Sequence, residues 1–228
     1  MIKAVIFDMF ETLVSLFEGR TYFSEDIAAD FNEDLQAFRR EWHDIERDRS
    51  TGKYTVEQAV ETVLKRLGTY SEDKVKKAAA KRREGLSDTF SAVPEESIRL
   101  LEELKKRGIK IGLISNTYSD ETEFIRNSIL FPYFDEALIS FEEGIMKPDI
   151  GLYKKMTKLL GLKPEECLYV GDGGSNELYA AREAGMHPVQ CTWFYDMAFD
   201  PHVPSPILDE FEHADIQSDI INILEKYQ

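Results

Sequence analysis

The stretch Ala4-Val5-Ile6-Phe7-Asp8-Met9-Phe10-Glu11-Thr12-Leu13 decides the fold of this chain. Its first four residues are apolar and contain neither glycine nor proline, a pattern that is typical of a buried strand. The apolar run ends at Asp8, and open α/β sheets place their reactive groups at the carboxyl ends of such strands. We therefore expect Asp8 to lie at the rim of a mostly parallel sheet.

Three further polar segments follow strand-like runs or stand close to them. Because the carboxyl ends of parallel strands meet at the same edge of a sheet, we expect all four segments to converge there. The three segments are Ser115-Asn116-Thr117, Lys147-Pro148-Asp149 and Gly171-Asp172-Gly173-Gly174.

The composition excludes several classes of function. The 228 residues are 43% hydrophobic and carry a net charge of -15, which argues against non-specific binding to nucleic acid or to an anionic membrane. Cys167 and Cys191 lie in apolar runs and lack CxxC spacing, as buried thiols in a reducing compartment do. Neither a signal peptide nor an apolar run near the ~20 residues of a membrane span is recognisable. We expect a soluble cytoplasmic protein that binds a small anionic substrate, with an undetermined oligomeric state.

The chain changes its pattern twice. From residue 15 to residue 87 it is charged, free of proline and periodic at three- and four-residue steps, which predicts an all-α insertion of three helices. From residue 88 onward, strands alternate with helices that often end at glycine, which indicates parallel βαβ units. The prediction is an α/β fold: a doubly wound, Rossmann-like core formed by residues 1–14 and 88–228, with a helical cap domain at residues 15–87.

With these motifs in this order, the sequence resembles the haloacid dehalogenase superfamily of hydrolases, in the group with a helical cap after the first strand. The resemblance covers nearly the whole chain. The first motif of this family normally reads Asp-x-Asp-x-Thr, whereas here it reads Asp8-Met9-Phe10-Glu11-Thr12. Phe10 therefore stands where phosphatases of the family carry their general acid and base, and Thr12 is the residue that steadies the loop.

The resemblance implies a Mg²⁺ site and a covalent mechanism. Asp8 is then the nucleophile that forms an aspartyl-phosphate, and Mg²⁺ is held by Asp8, the backbone carbonyl of Phe10 and Asp172. Asn176 and Glu177 lie four and five residues after Asp172, where the family has a second acidic residue, and are candidates for the outer shell of the metal.

Three other side chains are candidates for binding the phosphoryl group. Ser115 and Asn116 offer a hydroxyl and an amide, which bind phosphoryl oxygens without adding charge. Lys147 offsets the repulsion between the carboxylates and the phosphate and stabilises charge as it develops. It is therefore predicted to be both catalytic and phosphate-binding.

The substitution at Phe10 leaves alternatives open. The favoured prediction is Mg²⁺-dependent phosphoryl transfer on a small phosphorylated metabolite, with Glu11 as the nearest spare carboxylate. A metal-independent 2-haloacid dehalogenase also has an aromatic residue at this position, although it has no use for Asp172. A phosphonate hydrolase requires a lysine from the cap, for which Lys53 is the candidate. A binding protein of low turnover is the fourth alternative.

The cap is expected to close over the rim and to select the substrate. Its candidates for an anionic group of the substrate are Arg20, Arg47 and Arg49. Aromatic side chains that follow the first strand are candidates for the pocket wall or for packing at the hinge; they are Phe17, Tyr22 and Phe23.

Overall fold

A computed structural model of the chain describes residues 1–19 and 21–227. The strands of the described residues are β1 Ala4–Phe7, β2 Lys110–Ser115, β3 Glu136–Ile139, β4 Cys167–Gly171, β5 His187–Cys191 and β6 Glu212–Ala214. They form one parallel sheet in the order β3-β2-β1-β4-β5-β6. The chain leaves β1 toward β2 on one side and later returns to β4 on the other. The switch point, where ligands bind in open α/β sheets, therefore lies at the end of β1.

Eleven α-helices occur in the same described residues. They are α1 Ser24–Asp30, α2 Leu35–Asp44, α3 Glu46–Ser50, α4 Val56–Leu67, α5 Glu72–Ser91, α6 Glu95–Lys106, α7 Ser119–Asn127, α8 Ser140–Glu143, α9 Ile150–Leu160, α10 Glu177–Glu183 and α11 Asp219–Glu225. No helix in this part of the chain is long and apolar enough to cross a membrane.

The two faces of the sheet are covered by different helices. Successive side chains of a strand point to opposite faces. Accordingly, Val5 and Phe7 belong to an apolar cluster with residues of α6 and α11, whereas Ala4 and Ile6 belong to a second cluster with residues of α9 and α10. The predicted doubly wound α/β core is confirmed.

Helices α1 to α5 occupy the segment between β1 and α6. A third apolar cluster holds α1, α2, α4 and α5 together, and its buried members lie between Tyr22 and Ala78. Three helices were predicted here, and the two that the sequence pattern missed are the short helices α1 and α3. The last of these helices ends at Ser91, and the division into a core at residues 1–14 and 88–228 and a cap at residues 15–87 stays a prediction.

Two short core elements also escaped prediction. Residues 193–212 read as a proline-containing loop, but β6 begins at its end and pairs with β5 through Val189 and Glu212. Helix α8 is a single turn that follows β3. Elements of three or four residues contain too few side chains for a periodic pattern, and their pairing depends on the rest of the sheet.

Candidate active site

The ends of three adjacent strands bring the predicted polar segments together. Asp8 directly follows β1, and its backbone N–H donates to the carbonyl of Val170 in β4 at 2.9 Å. Ser115 is the last residue of β2, and Asp172 directly follows β4. Asp8 is only 8% exposed. The nucleophile candidate therefore lies in a largely desolvated site.

Lys147 connects two of the carboxylates in this site. Its ammonium lies 2.7 Å from Asp8 Oδ1 and 2.5 Å from Glu177 Oε2, and the residue is only 3% exposed. Burial by itself lowers the pKa of the Lys147 ammonium, but Asp8 and Glu177 outweigh it and raise the pKa above its ordinary value. Lys147 is therefore a permanent positive charge beside Asp8.

Asn116 holds the Lys147 backbone in place. The Lys147 N–H donates to Asn116 Oδ1 at 2.8 Å, and Asn116 Nδ2 donates to the Lys147 carbonyl at 3.2 Å. The same amide lies 3.4 Å from the Ser175 hydroxyl. Asn116 was predicted to bind phosphate, and its contacts add the positioning of Lys147 to that role.

Glu177 is fully buried and surrounded by donors. Its Oε2 accepts from the Tyr169 hydroxyl at 2.7 Å, and its Oε1 accepts from the backbone N–H of Gly173 at 3.1 Å. A Cβ at Gly171 would overlap Glu177 Oε1, so only glycine permits this approach. Burial raises the pKa of Glu177 to about 8, although Lys147 opposes the shift.

We expect Lys147→Met to lower the free energy of unfolding by about 3–5 kcal/mol, because it leaves Asp8 and Glu177 buried without their cation. Burial raises the pKa of both carboxyl groups. They therefore become protonated as the pH falls, and the loss is expected to be smaller at pH 5 than at pH 8. Urea unfolding at the two pH values measures both effects.

The control variant is Lys105→Met, which removes a surface ion pair. Lys105 lies 2.7 Å from Asp135, and both side chains are more than a third exposed. Such a pair contributes about 0–1 kcal/mol. An equal loss in the two variants would contradict the buried-pair interpretation.

The carboxylates of this site fit a divalent cation. One oxygen from each of Asp8, Asp172 and Glu177 lies within 4.8 Å of the others. Three carboxylates against the single ammonium of Lys147 leave an excess of negative charge in a buried site, and Mg²⁺ prefers oxygen ligands of this kind. Both oxygens of Glu177 already accept hydrogen bonds, which suits an outer-shell position behind Asp8 and Asp172.

The loop after β4 positions Asp172. Its Oδ1 accepts from the Gly174 N–H at 2.9 Å, and its Oδ2 accepts from the Ser205 hydroxyl at 2.7 Å. Asn176, which was predicted as an outer-shell residue together with Glu177, is instead exposed at the start of α10. Glu177 belongs to the acidic cluster, and the outer-shell role of both residues stays a prediction.

Ser115 and Thr12 have contrasting surroundings. The Ser115 hydroxyl is buried and has no hydrogen-bond partner within the described residues, so it is free to bind a phosphoryl oxygen. Thr12 is fully buried, its carbonyl accepts from Trp193 Nε1 at 2.9 Å, and its hydroxyl lies 3.5 Å from Cys191 Sγ. These contacts agree with a role for Thr12 in steadying the loop.

Phe10 and Glu11 face different spaces. Phe10 packs edge-on against Phe90, with ring centroids 6.3 Å apart, and lines a cavity between core and cap. The Glu11 carboxylate instead accepts from the Ser15 hydroxyl at 2.7 Å and the Leu16 N–H at 2.8 Å, and it lines a separate small cavity. Burial raises the pKa of Glu11 to about 7. Its side chain does not occupy the position that an acid at residue 10 would have.

The space that we call the cap–core cavity has a volume of about 280 Å³ and is lined by both parts of the chain. Phe10, Asn116 and Ser175 line it from the core, and Phe23 and Trp42 line it from the cap. It therefore places cap side chains opposite Phe10 and Asn116, which follow β1 and β2, as a substrate pocket requires.

The other cap candidates lie in different surroundings. Lys53 is largely exposed and forms an ion pair with Asp48 at 2.7 Å, which raises its pKa. A lysine that forms a Schiff base needs a lowered pKa instead. Arg47 is exposed, Arg49 is buried, and Arg20 lies outside the described residues. Two of the aromatic candidates lie elsewhere than the cap–core cavity: Phe17 lines the small cavity of Glu11, and Tyr22 belongs to the cap's apolar cluster.

Two residues of the site were missed by the sequence analysis. Tyr169 lies within an apolar strand and reads as a core residue, yet its hydroxyl contacts both Glu177 and Lys147. His202 lines the cap–core cavity from the long loop after β5, with Nε2 2.5 Å from Glu25 Oε1. No local pattern in that loop marks the histidine, because its neighbours come from distant parts of the chain.

A doubly wound fold with an acidic, lysine-containing centre at the switch point is typical of one class of hydrolases. A family model of haloacid dehalogenase-like hydrolases matches residues 2–185, and the chain belongs to this family. The predicted resemblance and the prediction of a hydrolase are confirmed.

The relatives include proteins named as phosphatases. The chain is 38% identical over 96 residues to a glyceraldehyde 3-phosphate phosphatase from Methanocaldococcus jannaschii, covering 41% of this chain and 42% of that protein. A glyceraldehyde 3-phosphate phosphatase from Methanopyrus kandleri is 28% identical, over 83% of this chain and 84% of its own length. The chain spans less than half the length of the first two curated relatives that it matches, whereas it covers most of the Methanopyrus kandleri protein.

The fold is also similar to that of solved structures. A 2-haloacid dehalogenase from Pseudomonas syringae superposes with a TM-score of 0.70 at 20% identity, and the match covers all of both chains. At this identity the similarity defines the fold and not the reaction.

Proposed function

We propose that this chain is a Mg²⁺-dependent phosphohydrolase that acts on a small phosphomonoester through an aspartyl-phosphate on Asp8. The observation that carries the proposal is the buried cluster in which Lys147 contacts Asp8 while Asp172 lies beside them. A metal-free nucleophilic site has no use for a second carboxylate against its nucleophile, whereas a Mg²⁺ site requires it. The phosphatase names of the relatives support the same substrate class.

In the first step, a carboxylate oxygen of Asp8 attacks phosphorus, and the bond to the leaving oxygen breaks. Lys147 and the free hydroxyl of Ser115 are placed to stabilise negative charge on the phosphoryl oxygens. Asp8, Asp172 and the carbonyl of Phe10 would hold Mg²⁺, which would supply further charge neutralisation there. Asn116 keeps the Lys147 backbone in position throughout.

In the second step, water attacks the aspartyl-phosphate and releases inorganic phosphate. This step requires removal of a proton from water, and the Phe10 side chain has no group that accepts one. We therefore propose that hydrolysis of the aspartyl-phosphate is slow relative to its formation when the leaving group is good.

The test follows the first turnovers of an aryl phosphate with and without Mg²⁺. A phenolate leaves without protonation, so the first step is fast even without an acid at residue 10. We expect a Mg²⁺-dependent burst of about one phenolate per enzyme molecule, followed by a slow steady state. Equal rates from the first turnover onward would contradict a slow second step.

The same assay separates the alternatives. Halide release from a short 2-haloacid in the presence of a chelator, without any phenolate burst, would replace the proposal by a dehalogenase. Cleavage of a phosphonate, together with borohydride trapping of its Schiff base on a lysine, would indicate the phosphonate hydrolase. Ligand binding without turnover of any of these compounds would indicate a binding protein.

We expect Mg²⁺ to stabilise the wild type but not Asp172→Asn, because the variant lacks a charged ligand. At a Mg²⁺ concentration about 100 times the Kd, the free energy of unfolding is expected to rise by about 2.7 kcal/mol. For a chain of this size that corresponds to about 5–10 °C in Tm. Differential scanning calorimetry with and without MgCl₂ measures the shift.

The matched control is Asp209→Asn, which removes an exposed carboxylate in the loop after β5. It is expected to keep the full Mg²⁺ shift. A shift that persists in Asp172→Asn would place the cation elsewhere.

A further inference from the structure

Arg49 is a buried arginine between cap and core. It lies in α3, is 4% exposed, and its guanidinium carbon is 4.2 Å from the ring centroid of Trp42 and 4.0 Å from that of Tyr118. Trp42 belongs to α2 in the cap, whereas Tyr118 precedes α7 in the core. Both rings line the cap–core cavity. The guanidinium is therefore held between two aromatic rings, one from the cap and one from the core.

Two nitrogens of the Arg49 guanidinium have no hydrogen-bond partner in the part of the chain that the structure describes. Its Nε and Nη1 are shielded from solvent, and neither has a partner among the described residues. Arg82 is buried to the same degree, yet it bonds to Asp120 at 2.7 Å and to Glu121 at 2.9 Å. A buried charge without a partner is costly. The contrast indicates that the partner of Arg49 is a ligand rather than a side chain.

The carboxylates near Arg49 are already engaged. Glu121 lines the same cavity, but it accepts from Arg82 and from the Tyr118 N–H at 2.8 Å. Glu46, one turn before Arg49, lies 2.9 Å from His43 Nδ1. Neither carboxylate forms a hydrogen bond or ion pair with Arg49 among the described residues, so the guanidinium keeps donors for a ligand.

A contact between cap and core fixes the segment that carries Arg49. The Ser140 hydroxyl, directly after β3, donates to the carbonyl of Ser50 at 2.7 Å. Gly52 has a φ of +81°, and a Cβ there would overlap the Phe141 carbonyl. The segment 50–52 therefore lies tightly against the core, which sets the position of Arg49 relative to the site around Asp8.

We propose that Arg49 binds a second oxyanion, a carboxylate or a phosphate, at the end of the substrate opposite the reacting phosphoryl group. The cap–core cavity joins the two ends, since Phe10 and Ser175 line it near Asp8 and Trp42 and Tyr118 line it beside Arg49. The planar guanidinium edge suits two parallel hydrogen bonds to an oxyanion. This inference rests on the proposed phosphoryl chemistry and narrows its substrates to phosphomonoesters with a second negative charge.

The test measures binding of stable phosphonates by calorimetry in MgCl₂. In the wild type, 3-phosphonopropionate is expected to bind about 10- to 100-fold more tightly than propylphosphonate, which lacks the carboxylate. A third compound, propane-1,3-bisphosphonate, shows whether a phosphonate at the far end binds better than a carboxylate.

The variants assign any preference to Arg49. In Arg49→Met, the two phosphonates are expected to bind with affinities that differ by no more than about 3-fold. Arg49→Lys is expected to restore part of the preference for 3-phosphonopropionate. Arg47→Met, which removes an exposed arginine of the same helix, is the control and is expected to keep the ratio. A wild type without preference, or a ratio unchanged in folded Arg49→Met, would overturn the inference.

Turnover of an aryl phosphate by the wild type separates this inference from the proposed function. Turnover without any preference among the phosphonates would retain the phosphohydrolase and reject the Arg49 site. A preference that depends on Arg49 without any turnover would retain the oxyanion site and reject phosphoryl transfer.

Discussion

Asp8→Asn is expected to reduce aryl phosphate turnover by on the order of 10⁴-fold or more, with no burst of phenolate. An amide is a far weaker nucleophile than a carboxylate, and the remaining side chains around it only bind and orient. Asparagine has nearly the same shape as aspartate, and the native carboxylate is almost fully buried. We therefore expect the variant to stay folded, so that the loss reports the chemistry.

Two measurements are required for this prediction. Stopped-flow absorbance gives the burst, and mass spectrometry after acid quench detects one phosphoryl group on the wild type and none on Asp8→Asn. The control is Asp149→Asn, because Asp149 is exposed and caps α9 through the Gly151 N–H, a role that asparagine also fills. A burst that survives in Asp8→Asn would exclude Asp8 as the nucleophile.

Phe10→Asp is expected to increase the steady-state rate on aryl phosphates by about 10²-fold or more, because it supplies the missing general base for the second step. The size of the burst is expected to shrink as the second step approaches the first. The substitution also removes the packing of Phe10 against Phe90. We expect it to lower the free energy of unfolding by roughly 1–3 kcal/mol.

Phe10→Asn is the matched control for this gain of function. It removes the same aromatic packing and adds a polar side chain of the same size as aspartate. Unlike aspartate, asparagine has no group that accepts a proton at neutral pH. Both variants are expected to lose similar stability, and only Phe10→Asp is expected to gain rate. Equal rates in the two variants would show that the second step is not limited by a missing base at this position.

Much of the core was predictable because its signals are local. The run Ala4–Phe7 is apolar at every position, as a central strand buried on both faces must be, and it is β1 of the structure. The ends of helix α9 also follow from local residues, since Asp149 caps its start and Gly161 ends it in a left-handed conformation. By contrast, β6 has only three residues, and its existence depends on pairing with β5.

The candidate site was predictable in its membership but not in its contacts. Asp8, Lys147 and Asp172 were predicted from strand ends, and the topology brings them together because parallel strands end at one edge. The positioning role of Asn116 was not apparent, because its partner Lys147 lies 31 residues away. The contacts of Tyr169 were not apparent either, because they depend on the packing of Lys147 and Glu177 against β4.

The sequence by itself determined the fold class, the order of the motifs and the loss of the acid at Phe10, because these depend on residue types and local spacing. Only the tertiary structure decided that Glu11 lies outside the cap–core cavity and that Arg49, unlike Arg47, is buried with two nitrogens unpartnered among the described residues. The arginines are two residues apart, and no pattern in the sequence distinguishes them. Their difference arises from Trp42 and Tyr118, which only the packing of the cap on the core brings to the two faces of one guanidinium.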